Sequence, residues 1–171
     1  MTDVPVWFER KFDFSFSAEL YPNLAARLRG TPARLDEVLG NQARQSLIRK
    51  ENGKWSAQEH AGHLADLEAL WLARVEDFTR GGVELTVADL KNQKTHNAHH
   101  NTRPLDEILK GFRDSRLRLT IRCDQLDPAQ LTHTMLHPRL KTPMRLVDHL
   151  YFVAEHDDHH LAHIWKLIHQ A

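Results

Sequence analysis

The chain has one cysteine, Cys123, in 171 residues. That excludes an intrachain disulfide framework and any cysteine-rich zinc site, and a single thiol fits a reducing cytoplasm. No window approaches 18 consecutive apolar residues, so nothing reads as a membrane span. The first residues, Met1 to Lys11, are charged and lack the apolar run of a signal peptide. Neither sign of charge prevails: Lys+Arg and Asp+Glu each number 23. A zero net charge leaves no electrostatic footprint for nucleic acid or an anionic membrane. There is no glycine-rich phosphate loop, internal repeat, heptad run or low-complexity segment, and strand signals are few. What remains is an ordinary globular composition, 41% hydrophobic and 27% charged, of a length suited to one domain over residues 1–171.

Histidine is in excess. The 13 histidines cluster at His60/His63, at His96/His99/His100, at His133/His137, and from His149 to the C-terminus. Four of them, His156, His159, His160 and His163, fall inside a segment whose Leu146, Val153, Ile164 and Leu167 form an apolar helical stripe.

The rest of the chain is punctuated like a helical protein. Phe12, Phe14 and Phe16 suggest a short extended lead-in across the body of the domain. Leu20, Leu24 and Leu28 form a stripe at i, i+4, i+8. Gly30-Thr31-Pro32 then predicts a break, with Thr31 capping a second helix that runs toward residue 47. Glu51-Asn52-Gly53-Lys54 reads as a turn. Ser56 and Glu59 make a capping box for a helix that carries His63, Leu67, Leu70, Trp71, Arg74 and Phe78 on one side and ends at Gly81-Gly82. Residues 83–103 read as a long connection with room for one helical turn, and such connections are often functional. Pro104 opens a helix with Leu105, Ile108, Leu109, Phe112, Leu119 and Cys123 on one face, where Arg116 reads as a snorkelling side chain and Arg113, Arg118 and Arg122 as outer surface. Asp127-Pro128 closes it. Thr142-Pro143 reads as the start of a last helix reaching about residue 169. The expected architecture is all-α, a four-helix bundle with a long crossover connection.

On a helix each residue turns about 100°, which puts His156 and His160 roughly 40° apart on one face. Any one of these histidines alone would be a core residue bonded to backbone or water. A pair at i, i+4 on an apolar stripe is instead a metal-binding arrangement. Two ligands from one helix hold an ion weakly, so a second helix should supply a third. His63 points inward with Leu67 and Leu70, whereas His60 lies about 60° round and reads as peripheral; His159 reads the same way. Three histidines leave a position for water or substrate, as in catalytic zinc. Glu59, Asp66, Glu155 and Asp157 are candidate supporting carboxylates or bases. No His-Glu-x-x-His sequence and no pair of Glu-x-x-His repeats occurs, which removes zinc peptidases and di-iron bundles.

Two ordered motifs carry a resemblance. Trp55-Ser56-x-x-Glu59-x-x-x-His63-Leu64-x-Asp66-x-Glu68-x-x-Trp71 is followed by His137-Pro138-Arg139-Leu140 and by Glu155-His156-Asp157-Asp158-His159-His160-Leu161-Ala162-His163-Ile164. From about residue 20 to 168 the chain resembles the DinB-like family of four-helix-bundle metalloenzymes related to bacillithiol- and mycothiol-dependent transferases; the name does not refer to the DNA polymerase. The resemblance implies a divalent metal, commonly zinc or nickel, on His63, His156 and His160, and frequent homodimers. His163 stands where many relatives have glutamine. It also implies a metal-dependent transferase joining a low-molecular-weight thiol co-substrate to small electrophiles. The alternatives are a metal-dependent hydrolase, or a non-catalytic metal-binding stress-response bundle.

Overall fold

The computed structural model describes residues 3–169. Four long helices form the bundle: α1 (Tyr21–Leu39), α3 (Ala57–Arg80), α5 (Leu105–Asp124) and α6 (Leu146–His169), with two short ones, α2 (Arg44–Ile48) and α4 (Gln93–Asn97), in the connections. α3 and α1 each pack against both α5 and α6 and so sit at opposite corners. The fold is the expected helical bundle, and the long crossover between α3 and α5 is there. Among the described residues no helix is long and apolar enough to cross a membrane.

The capping box opens α3 as its sequence requires: the Ser56 hydroxyl accepts from the Glu59 N–H, and the Glu59 carboxylate accepts from the Ser56 N–H. Gly81 ends the helix at φ 73°, a conformation that favours glycine. The aromatic lead-in is extended apart from a turn at Trp7–Glu9. It lies along α6, with the Phe12 ring 5.0 Å from Phe152 and the Trp7 ring 5.0 Å from His156.

Three features differ from the sequence expectation. α1 does not break at Gly30-Thr31-Pro32 but runs through Pro32. A proline there leaves the Leu28 carbonyl without its helical N–H partner, and the buried Arg116 guanidinium donates to that carbonyl at 3.1 Å. The break is thus repaired from α5. Arg116 accordingly does not snorkel: it is 1% exposed and meets Glu68 at 2.6 Å and Asp157 at 3.0 Å. This ion triad separates the two main apolar clusters, one around Leu28, Trp71, Leu119 and Val153, the other around Leu35, Leu64, Phe112 and Ile164.

Third, Thr142-Pro143 does not start the last helix. Pro143–Arg145 (β2) pairs antiparallel with Thr134–Leu136 (β1), Met135 opposite Met144. α6 begins only at Leu146, where Asp148 reaches back to accept from the Arg145 N–H at 2.8 Å. The crossover joins this hairpin through a bridge between Glu84 and Leu136. Residues 83–103 therefore hold more than a single turn: α4 and a short 3-10 turn, His100–Thr102, lie against α3.

Candidate metal centre

His63 comes from the second turn of α3, and His156 and His160 from the middle of α6. One ring nitrogen from each lies within 4.8 Å of the other two, and all three side chains are buried. The helix pairing brings them together, because α3 and α6 are neighbours in the bundle. The Nε2 atoms of His156 and His160 are 3.1 Å apart.

Hydrogen bonding fixes the His63 tautomer. Its Nδ1 lies 3.0 Å from the Thr95 hydroxyl, and that hydroxyl lies 2.9 Å from Asp66 Oδ2. A hydroxyl has one proton, and the carboxylate can only accept. Thr95 therefore donates to Asp66 and accepts from His63 Nδ1–H, which leaves the His63 Nε2 lone pair free. His100 Nε2 donates to the same Asp66 oxygen at 2.9 Å. Burial would raise the Asp66 carboxyl, but the hydrogen bonds from His100 and Thr95 outweigh it and hold it below its ordinary value. The close approach of His100 depends on Gly62, where a Cβ would lie 2.2 Å from the His100 ring.

His60 is not peripheral. It is 8% exposed, and its Nδ1 lies 2.8 Å from His160 Nδ1. Sixty degrees round α3 still faces α6, since the histidine surface of α6 is broad: the His163 ring stacks 5.0 Å from His60. His159 and His163 are half-buried. Burial pushes His60 down to about 3 and His63 to about 4, and drives His156 and His160 well below the usual histidine range, with mutual repulsion adding to it. Neutral imidazole is the ligating form.

This donor set fits a divalent ion. Nitrogen ligands at about 2.0–2.1 Å in a tetrahedron stand roughly 3.3 Å apart, close to the His156–His160 separation, and imidazole suits zinc and nickel alike. The Nδ1 of His156 is buried without a hydrogen-bond partner.

Of the four supporting carboxylates read from the sequence, only Asp66 reaches the cluster, through Thr95. Glu59 caps α3 and pairs with Lys50, Glu155 pairs with Arg10 and Arg27, and Asp157 belongs to the Arg116 triad. The roles of Thr95 and His100 are not legible in the sequence: Thr95 has only its place in the long connection, and His100 also its membership of the His96/His99/His100 cluster.

The cluster opens onto a cavity of about 280 Å³ walled by Trp7, Trp55, Leu67, Leu70, Trp71 and Phe152, with Arg74 and Arg139 further along. The structure is thus a four-helix bundle that brings three buried histidines from two helices together beside a cavity. The chain belongs to the DinB superfamily, whose family model matches residues 27–164. Its structure is similar to YfiT from Bacillus subtilis, described as a probable metal-dependent hydrolase with an unusual four-helix bundle topology: TM-score 0.81, 21% identity, covering 95% of this chain and 93% of YfiT. It is also similar to the mycothiol-dependent maleylpyruvate isomerase: TM-score 0.66, 12% identity, 86% of this chain and 60% of the isomerase. Both likenesses establish the fold. A search among curated proteins gives no match.

Proposed function

We propose that the protein is a metal-dependent enzyme that holds a divalent cation, zinc or nickel, on His63, His156 and His160 and acts on a small molecule in the adjoining cavity. The observation that carries this reading is the convergence of three buried, neutral imidazoles from two helices on one point beside that cavity. A bound cation would supply the charge that lowers the pKa of a thiol or water brought next to it.

The chain's own groups do not supply the nucleophile. Among the described residues the cavity lining contains no serine, threonine, cysteine or lysine, so the proposed nucleophile arrives from outside. Cys123 does not line the cavity, and burial pushes its thiol up to about 12. The one carboxylate among the described lining residues, Asp89, is committed to the start of α4, accepting from the N–H groups of Lys91 and Gln93 at 3.0 and 2.6 Å. A thiol beside a cation is deprotonated outright, and a water there would be activated by the cation itself, with lining histidines such as His159 able to take its proton. The reaction class we infer is transfer of a low-molecular-weight thiol of bacillithiol type to a small electrophile, a reading supported by the likeness of fold to a mycothiol-dependent enzyme: sulfur bonds to the electrophilic carbon as the leaving group departs with its electron pair. A metal-dependent hydrolase is the second reading, favoured by the description of YfiT.

Metal analysis of untagged protein tests the centre. One equivalent of zinc or nickel in the wild type, lost in His63→Ala, His156→Ala and His160→Ala, is the expected result; retention by all three variants refutes it. For the reaction, a panel of low-molecular-weight thiols with a generic electrophile should give turnover that a chelator abolishes. Ester or amide hydrolysis in place of thiol transfer would select the second reading.

A further inference from the structure

Beyond the histidine cluster, the same cavity holds two guanidinium groups without a carboxylate partner among the described residues. Arg74 is 2% exposed. Its Nε donates to the Thr86 carbonyl at 2.9 Å, and its Nη1 lies 3.1 Å from His137 Nε2. Arg139 is half-buried, its guanidinium 5.2 Å from the Phe8 ring and 5.8 Å from the Phe152 ring, and its Nη2 is buried with no acceptor. The nearby acids are engaged elsewhere: Asp77 accepts from the Thr86 N–H and hydroxyl, both at 2.7 Å, and Asp89 holds the start of α4.

This end of the cavity has more donors than acceptors. The N–H groups of Arg139 and Leu140 meet His137 Nδ1 at 3.3 and 3.1 Å, while Arg74 Nη1 meets its Nε2. A neutral imidazole has one lone-pair nitrogen, so in either tautomer some of these donors go without an acceptor. Trp71 Nε1–H, also in the cavity wall, has none. Burial, with repulsion from Arg139, lowers the Arg74 guanidinium to about 10. Desolvated charges left in this state are costly unless a counter-charge arrives.

We propose that Arg74 and Arg139, with Trp71 Nε1, form the binding site for the carboxylate of a small apolar acid. The acid's body would lie along the aromatic wall toward the histidine cluster. A carboxylate supplies two acceptor oxygens and one negative charge to a planar donor fork. The remaining walls, Trp7, Leu67, Leu70 and Phe152, suit a hydrocarbon body. Trp71 connects the two ends: its ring lies 5.5 Å from the His156 ring and 5.6 Å from the Arg74 guanidinium. An acid held by its carboxylate would thus present its other end to the proposed metal. The inference rests on the cavity being a substrate site as proposed above, and it narrows the substrate class.

The test uses acetate, benzoate and 3-phenylpropionate, each paired with its neutral amide, and inorganic phosphate. Binding is followed by titration calorimetry and tryptophan fluorescence on metal-stripped and zinc-loaded protein. At least one acid should bind tenfold or more tightly than its amide in the stripped protein. Arg139→Gln, whose side chain is half-exposed and tolerant of change, should erase that preference while zinc still binds stoichiometrically; Arg74→Lys should weaken it. Equal affinity of acid and amide in every pair overturns the assignment, as does a preference that survives both substitutions, or phosphate binding more tightly than any of the acids. His156→Ala separates the two readings, since it should abolish zinc binding and leave the carboxylate preference intact.

Discussion

One hydroxyl decides which nitrogen of His63 is available. Thr95 accepts from His63 Nδ1–H because its own proton is committed to Asp66, and a ligand's hydrogen-bonded support typically accounts for 10–100-fold in metal affinity. Thr95→Val keeps the shape and removes the acceptor. Zinc affinity, read by competition with a chromophoric chelator, should fall by about 10–100-fold, with stability lowered by about 1–2 kcal/mol; unchanged affinity would mean that His63 is oriented by packing alone. The three histidines themselves were legible from spacing: i, i+4 on an apolar stripe for His156 and His160, and a shared face with Leu67 and Leu70 for His63. Thr95 was not, because nothing in one dimension ties residue 95 to residue 63. His60 was misread for a related reason. Its angle was measured against its own helix, whereas its burial is set by the neighbour that helix meets.

The helix α1 shows how a local rule yields to a partner. Gly30-Thr31-Pro32 is a sound stop signal, and the capping box, the Gly81 terminus and the pairing of Leu24 with Leu28, judged by equally local rules, all stand, although Leu20 precedes α1 and is exposed. The signal fails at Pro32 because the freed Leu28 carbonyl is taken by Arg116, an arginine 84 positions later that reads in the sequence as a snorkelling side chain. The same guanidinium pairs with two carboxylates that are 2% and 0% exposed. Arg116→Met would strand Glu68 and that carbonyl and leave Asp157 with only its bond from the Thr31 hydroxyl, so chemical denaturation should show a loss of about 3–5 kcal/mol. Replacing Glu68 and Asp157 as well, by apolar residues of similar volume, should recover most of it, since the cost lies in stranding charges rather than in losing the pair. If the single variant is as stable as the wild type, the triad is not what joins α1, α3, α5 and α6.

Buried neutral histidines also set how the bundle responds to acid. His149 is fully buried among Trp71 and Phe78, with neither ring nitrogen in a hydrogen bond and only weak support from the Trp71 main chain. Burial pushes it well below the usual histidine range, and burial with Arg74 beside it brings His137 to about 3. These are bases whose folded pKa is depressed. Between that value and the unfolded one, about 6.5, the unfolded chain binds more protons. Their contribution is therefore intact above pH 6.5 and is lost as the pH falls, by up to about 1.4 kcal/mol per pH unit for each histidine. The melting temperature of metal-stripped protein should accordingly be steady from pH 8 to 7 and drop steeply from pH 6 to 5. His149→Leu isolates the contribution of one ring. It removes an unpaired buried polar group, which costs about 1–3 kcal/mol, so the variant should be at least as stable as the wild type at pH 7.5. It should also lose stability less steeply below pH 6, because one proton uptake is gone. A variant less stable at pH 7.5 with an unchanged acid slope would show that His149 is held by a partner and does not titrate on unfolding.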